Sequence, residues 1–186
     1  MHLRLPTLEA IDAAVWIELL RAARDKAHAW RTPVLATVDG SASSPRADAR
    51  TVVLREVDEA HRHLVFFTDS RSPKAAQIAS HAGATLVFWS AALNWQLRCD
   101  VRLSIAVDGP EVDRRWARIQ QSPAACDYLS FAAPGAPIDK HAQPPLDQPH
   151  FAVVTAEVQA IDWLELHPDG HRRARLGTPD RTWLQP

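Results

Sequence analysis

Cysteine is almost missing from this sequence. Cys99 and Cys126 are the only two in 186 residues, too few and too widely spaced for a disulfide framework or a zinc ribbon, and a reducing cytoplasm is the natural expectation. Long apolar runs are missing too. Arg4, Glu9, Asp12 and Glu18 interrupt the first twenty residues, well short of a signal-peptide core or the roughly 20 apolar residues of a membrane span. The expectation is a soluble, unexported chain with no membrane partner. Charge of one sign is absent: 21 basic and 22 acidic side chains leave a net charge of -1. No global field therefore draws the chain to nucleic acid, and any anion it binds must be held locally. GxGxxG, Walker A and HExxH are all missing, which removes the commonest phosphate and metal signatures. Lysine is rare, with only Lys26, Lys74 and Lys140. No internal repeat or low-complexity block occurs.

What is present is ordinary in bulk. Hydrophobic residues make up 46% and charged residues 23%, which excludes disordered, collagen-like and coiled-coil classes. The length suits one domain over 1–186 with a real core.

Residues 8–29 read as an amphipathic helix, with Ile11, Val15, Leu19 and Ala22 at helical spacing and Pro6-Thr7 as its start. Strands are expected over Thr32–Val38, Arg50–Val57 and His63–Thr68, with turns at Asp39-Gly40 and Asp58–Arg62. Ser72-Pro73 then opens a short helix closed by Gly83, Ser as cap and Pro in the first turn. Ala84–Ser90 is an apolar strand. From Trp95 to Val107 the alternation is clean: Trp95, Leu97, Cys99, Val101 and Leu103 face one way, Gln96, Arg98, Asp100 and Arg102 the other. A helix is expected over Glu111–Gln121, a helical piece near Ala124–Ser130, and an irregular proline-rich loop over 132–150. Phe151–Leu166 is a long strand, and His171–Leu176 and Arg181–Leu184 are short ones. Hairpin connections without βαβ alternation point to a mainly β fold, an antiparallel barrel with helices at its edges.

Arg71-Ser72-Pro73-Lys74 opens a helix with two cations. A helix N-terminus carries partial positive charge, so each exposed cation there costs about 0.3–1 kcal/mol. An anion such as a phosphate, held by the Ser72 hydroxyl, backbone N–H groups and Lys74, would reverse that cost; an ordinary Ser-Pro cap with solvated charges is the alternative. In Arg50-Thr51-Val52-Val53-Leu54-Arg55, two cations bracket an apolar core, and strand parity sends them to opposite faces. His61 and His63 lie either side of Arg62 in a predicted turn and read as solvated rather than as metal ligands. No metal site is expected. Cys99 reads as an inert core thiol.

Five blocks in order resemble the pyridoxamine 5'-phosphate oxidase family: Arg50–Arg55, Leu64-Val-Phe-Phe-Thr68, Ser72-Pro-Lys74-Ala-Ala-Gln-Ile78, Ala84–Trp89 with Trp95-Gln96-Leu97-Arg98, and Trp163–Leu176 with Trp183-Leu-Gln-Pro186. The resemblance spans about Val34 to Pro186. It implies an FMN-binding split β-barrel, six-stranded and Greek-key-like, working as a homodimer with FMN at the subunit interface. Carried over by position, Arg50, Thr51, Val52, Val53, Leu54 and Arg55 would contact the ribityl phosphate and flavin edge, partly through backbone groups. Phe67 and Thr68 would line the ring, Ser72 and Lys74 would hold the phosphate, and Gln96 would hydrogen-bond the flavin. Trp163, or Leu164 if the register slips by one, and Arg173 or Arg175 would reach over from the second subunit.

The departures are specific. The family's Ser-Arg-Lys phosphate grip is Ser72-Pro73-Lys74 here, leaving Arg71 as the substitute cation. The lysine that helps hold the substrate phosphate is Arg55, which keeps charge but alters geometry. The Tyr and Arg-Pro-Arg-Asp-Ser region has no counterpart in Trp116–Tyr128, the Gln-Ser pair is missing from Phe131–Ile138, and Arg-Leu-His becomes Arg172-Arg173-Ala174. The FMN half of the site is thus better kept than the pyridoxamine phosphate half. The resemblance implies an FMN-dependent oxidoreductase with a small-molecule substrate other than pyridoxamine 5'-phosphate; the alternative is a flavin carrier, store or sensor without turnover.

Overall fold

The computed structural model of the chain describes residues 4–41, 43–137, 148–177 and 179–186. The middle of the expected 132–150 loop therefore lies outside the described residues. Thr7 starts helix α1 (Leu8–Arg24), its Oγ1 accepting from the Ala10 N–H at 3.2 Å. The helix stops short of residue 29 because Asp25 turns extended and its carboxylate accepts from the Ala27 N–H at 2.8 Å. A separate 3₁₀ turn, Ala29–Arg31, follows. α1 buries Ile11, Val15, Trp16, Leu19 and Ala22 against the barrel and exposes its polar side.

The remaining elements in order are β1 (Val34–Asp39), β2 (Arg46–Thr51), β3 (Glu56–Asp58), β4 (His63–Asp69), α2 (Pro73–Ser80), β5 (Gly83–Ser90), β6 (Trp95–Ala106), α3 (Pro110–Ile119), a 3₁₀ piece at Pro123–Tyr128, β7 (Phe151–Glu165), β8 (Arg172–Gly177) and β9 (Arg181–Leu184). Every described pairing is antiparallel, in the order β2-β1-β5-β6-β7-β4-β3, with β8 on β7 and β9 on β8. The fold is mainly β, an antiparallel barrel with peripheral helices as the strand pattern implied and a split barrel as the resemblance implied, but with nine strands in the described sheet rather than six. No helix among the described residues is long and apolar enough to cross a membrane.

One expected strand, Arg50–Val57, is two. β2 ends at Thr51 on β1, and β3 begins at Glu56 on β4. β2 and β3 are the two ends of the sheet path, so residues 52–55 join its edges through the chain itself. The Val52 N–H donates to the Pro33 carbonyl at 2.9 Å and the Arg55 N–H to the Val65 carbonyl at 2.8 Å, while Val52 and Leu54 bury their side chains. The run is apolar because it crosses the core. The parity rule that put Arg50 and Arg55 on opposite faces of one flat strand therefore does not apply.

Inside the barrel, Trp30, Phe88, Trp95 and Trp163 stack edge to face or tilted, with centroids 5.4–6.5 Å apart. A second cluster lies outside β4 and β7, where Tyr128, Phe151, Val112 and Val65 pack under α3, with Phe67 and Trp116 at its margin. Cys99 is wholly buried in the first cluster, and burial pushes its thiol well above the ordinary range. No group of three metal-ligating side chains occurs among the described residues.

Candidate functional site

β1, β2, β4 and α2 converge on one polar cluster. Asp48 and Arg50, two apart on β2, share a strand face, opposite Thr37 and Leu35 of β1. Arg50 Nη1 donates to Thr37 Oγ1 at 2.5 Å, and Nη2 to Gln77 Oε1 at 2.9 Å and to the Asp48 carboxylate. Gln77 Nε2 donates to Asp48 at 2.8 Å, and Thr37 Oγ1 to Gln77 Oε1 at 2.6 Å. The Gln77 amide and then the Arg50 charge hold the Asp48 carboxyl below its usual range.

Lys74 completes the cluster from the first turn of α2. Its ammonium donates to Thr68 Oγ1 at 3.0 Å, and among the described residues no carboxylate lies within ion-pair distance of it. Burial pushes its pKa down and neighbouring Arg50 adds to the effect, against Asp69 and Asp48. A half-buried cation with no carboxylate at ion-pair distance among the described residues, at a helix N-terminus and beside a guanidinium, is the arrangement that a phosphate group completes. The donors present fit the FMN phosphate.

Two sequence expectations change here. Ser72 is 1% exposed and does not cap α2 with its side chain; its hydroxyl lies 3.1 Å from Thr68 Oγ1, beneath the cluster rather than facing out. Arg71 does not replace the missing cation. It clamps Asp69 at 2.7 Å and donates to the Ser130 and Phe131 carbonyls at 2.8 and 3.0 Å, fixing the start of the long loop. The cluster thus has two cations, Arg50 and Lys74.

On the other face of β4 lies a cavity of about 280 Å³ lined by Arg31, Arg55, Glu56, Phe67, Arg115 and Arg118, with Ala23 and Ile119. Arg115 is engaged by Glu56 at 2.7 Å and Glu111 at 2.8 Å. Arg31 and Arg55 meet no carboxylate among the described residues. Arg31 Nη1 donates to the Ala23 carbonyl at 2.5 Å, at the end of α1, and burial, then Arg55, lowers its pKa. Arg55 lies 5.7 Å over the Phe67 ring, and its buried Nε has no partner. Two part-buried guanidiniums, neither meeting a carboxylate among the described residues, suit an anionic group. Phe67 and Thr68 point to opposite faces of β4, one to this cavity and one to the cluster.

The remaining expected residues lie elsewhere. Gln96 pairs with Leu164 in the β6–β7 ladder, and Leu164 with Arg173 in β7–β8. Thr68 pairs with Ala152, so the two groups stand twelve residues apart along β7, a contour of about 40 Å. Arg173 is held by Asp162 at 2.6 Å and Arg175 by Asp100 at 3.0 Å. Trp163 is 0% exposed, packed on Trp95 and Trp183. Its side chain reaches no surface of this chain, whereas Leu164, next to it, lies on the opposite and accessible face. In the 50–55 block, Val52 and Leu54 face the core, and the N–H groups of Val52, Leu54 and Arg55 are already bonded within the chain. Thr51 is exposed and Val53 half-buried.

Thr37, Asp48, Gln77, Arg31, Arg115 and Arg118 were not read from the sequence. Asp48 was findable as the residue two before Arg50, and Gln77 as the residue one helical turn after Lys74. Arg31 had no signal, since the fold alone brings it to Arg55.

Comparison with known proteins bears on the family and the fold. The profile of the family described as pyridoxamine 5'-phosphate oxidase, FMN-binding domain, matches residues 13–106, which include the whole polar cluster but not α3. The chain is 36% identical over 104 residues to the pyridoxine/pyridoxamine 5'-phosphate oxidase of Thermosynechococcus vestitus, covering 50% of this chain and 48% of that protein. It thus spans about half the length of the curated relative it matches. The solved structure of a pyridoxamine 5'-phosphate oxidase-related, FMN binding protein from Nostoc punctiforme superimposes with a TM-score of 0.70 at 27% identity, over 100% of both chains. PhzG from Burkholderia lata, solved with tetrahydrophenazine-1-carboxylic acid, gives a TM-score of 0.71 at 19% identity over 97% of this chain and 94% of that one; this second likeness is one of fold alone.

Proposed function

The chain belongs to the pyridoxamine 5'-phosphate oxidase FMN-binding family, and from that membership we propose that it binds FMN through its phosphate at Arg50 and Lys74 and uses the flavin to oxidise or reduce a small anionic substrate. The observation that carries this reading is Lys74, a half-buried ammonium with Thr68 as its only side-chain hydrogen-bond partner among the described residues. The arginine cavity supports the second half. Arg31 and Arg55, both without a carboxylate partner among the described residues, would take the negative end of the substrate, and Phe67 would form a wall beside it. The residues with which the oxidases grip pyridoxamine 5'-phosphate are replaced in this chain, which favours a different substrate.

FMN, when bound, supplies the acceptance and release of a hydride or electrons. The chain's own task is then to hold the phosphate, orient the substrate and keep water out, and no acid–base side chain is needed. We also propose a homodimer. Gln96, Leu164 and Arg173 share an accessible sheet face, where Trp89, the partner of Gln96 across β5–β6, is 45% exposed. Their separation along β7 from the Arg50–Lys74 cluster suits a site completed by a second copy. A flavin carrier, store or sensor is the second reading, favoured by a phosphate site with only two cations. Reduction of bound flavin by an amine or a reduced nicotinamide, with reoxidation by dioxygen completing a turnover, separates the two.

The test is an FMN titration of the wild type and of the Lys74→Ala, Arg50→Ala double variant. Flavin retention is expected to vanish while the far-ultraviolet spectrum and sedimentation stay unchanged. A double variant that held FMN as tightly as wild type would put the phosphate elsewhere.

A further inference from the structure

A guanidinium offers five N–H donors, and four of those on Arg50 are engaged within the chain. Nη1 reaches Thr37 Oγ1 at 2.5 Å and the Leu35 carbonyl at 3.5 Å, while Nη2 reaches Gln77 Oε1 at 2.9 Å and the Asp48 carboxylate. Among the described residues nothing engages Nε, which is left for a ligand. A phosphate that takes two donors from Arg50, the strong geometry for an oxyanion, must take one that another acceptor now holds. Leu35 and Thr37 belong to the strand beneath, and Gln77 is 6% exposed on α2. Asp48 is the acceptor that can leave: its side chain is 37% exposed at the sheet edge strand β2. It is also the one acceptor that bears a charge, of the same sign as the phosphate.

We propose that Asp48 is an internal counter-anion of this phosphate site, occupying Arg50 in the empty protein and competing with the ligand phosphate for it, so that it sets a weak, exchangeable grip. The inference rests on the FMN reading for its ligand, but not for its geometry, which concerns any phosphate. Two further features fit. Arg71 is turned away to Asp69 and the loop carbonyls, and Arg46, the other cation felt by Asp48, is itself paired with Asp39 at 3.0 Å. The Asp48 carboxylate also accepts from Gln77 Nε2, so on yielding Arg50 to a phosphate it is kept nearby as a like charge rather than lost to solvent.

Asp48→Asn separates charge from shape, since an amide oxygen still accepts from Arg50 while the negative charge is gone. The measurement is the dissociation constant for FMN, with riboflavin as the phosphate-free control, at one ionic strength for wild type, Asp48→Asn and Asp48→Ala. In parallel, the rise in melting temperature caused by inorganic phosphate is compared with that caused by chloride at equal ionic strength. Removing one nearby, partly screened like charge is expected to tighten FMN about tenfold, to leave riboflavin unchanged, and to enlarge the phosphate-specific shift. If Asp48 instead positions Arg50, both variants bind FMN and phosphate more weakly, and the proposal is overturned. Unchanged phosphate shifts overturn it equally. A larger phosphate shift in Asp48→Asn without FMN binding in any variant leaves the competition standing and removes FMN as the ligand.

Discussion

Replacing Lys74 with Met tests the site and its cost together. The substitution keeps the length and most of the volume of the side chain and removes the charge. In the empty protein the ammonium is half-buried with Thr68 as its hydrogen-bond partner, and burial first, then Arg50, pushes its pKa below the ordinary 10.5. A folded-state pKa below the unfolded one means that the charged form disfavours folding. That penalty is fully present at neutral pH and is relieved only as pH rises from the folded value to the unfolded one. Lys74→Met is therefore expected to melt no lower than the empty wild type at pH 7, and any advantage should shrink as pH approaches 10.5. Toward FMN the effect reverses. Losing one partner of a partly desolvated, hydrogen-bonded charge pair costs about 3–4 kcal/mol, which at 1.4 kcal/mol per tenfold weakens FMN between roughly 100- and 1,000-fold. Riboflavin, without the phosphate, should bind both proteins within about twofold. Flavin fluorescence titration of the empty proteins, with calorimetric melting, reads all three quantities. A Lys74→Met protein that binds FMN within threefold of wild type, or that loses riboflavin in equal measure, refutes the reasoning.

Arg71→Ala is expected to leave FMN affinity unchanged, because Arg71 faces Asp69 and the Ser130 and Phe131 carbonyls; limited proteolysis should instead become faster near residues 130–132, and a loss of flavin would return Arg71 to the phosphate site. Trp163→Ala should destabilise the protein by about 3–5 kcal/mol through the cavity it leaves, and Trp163→Phe should keep FMN affinity, since the residue is buried against Trp95 and Trp183; urea melts and a titration check this, and selective loss of FMN in Trp163→Phe contradicts it. The hydroxyl and N–H of Ser41, then Arg46, hold the Asp39 carboxyl at about 2, below its ordinary 3.8. A depressed carboxyl stabilises the fold above the unfolded value, and that stability is lost as pH falls from near 3.8 to about 2. Asp39→Asn should thus lower the melting temperature at pH 7 and converge with wild type near pH 2; parallel melting curves across the whole range would argue against the pairing.

The fold was legible wherever one face of an element is buried and the other is wet. The β6 alternation from Trp95 to Leu103 matches the buried and accessible positions residue by residue, and α1 begins at its Thr7 cap. Legibility failed where tertiary contacts replace a local rule. Residues 50–57 read as one strand because Thr51, Val52 and Val53 are β-branched and Val52–Leu54 is apolar, yet that run is apolar because it crosses the barrel seam. Trp163 was read from a position in a block, whereas strand parity against Leu97 and Ala174 puts it in the core and leaves Leu164 outside. Of the candidate site, Lys74 and Arg50 were visible as cations at a helix start and a strand end. Asp48 was hidden because its meaning depends on Gln77 and Thr37, which only the packing of α2 on β1 and β2 brings to it. The arginine cavity was hidden for the same reason, since Arg31, Arg55 and Arg115 come from three separate segments.

The most direct test of the central claim is an equilibrium titration of the purified full chain with FMN, followed by flavin fluorescence and by absorbance of the separated bound fraction. The account predicts saturation at one FMN per chain, with riboflavin binding far more weakly under the same conditions. FMN that fails to saturate, or that binds no better than riboflavin, would contradict a phosphate-anchored flavin at Arg50 and Lys74.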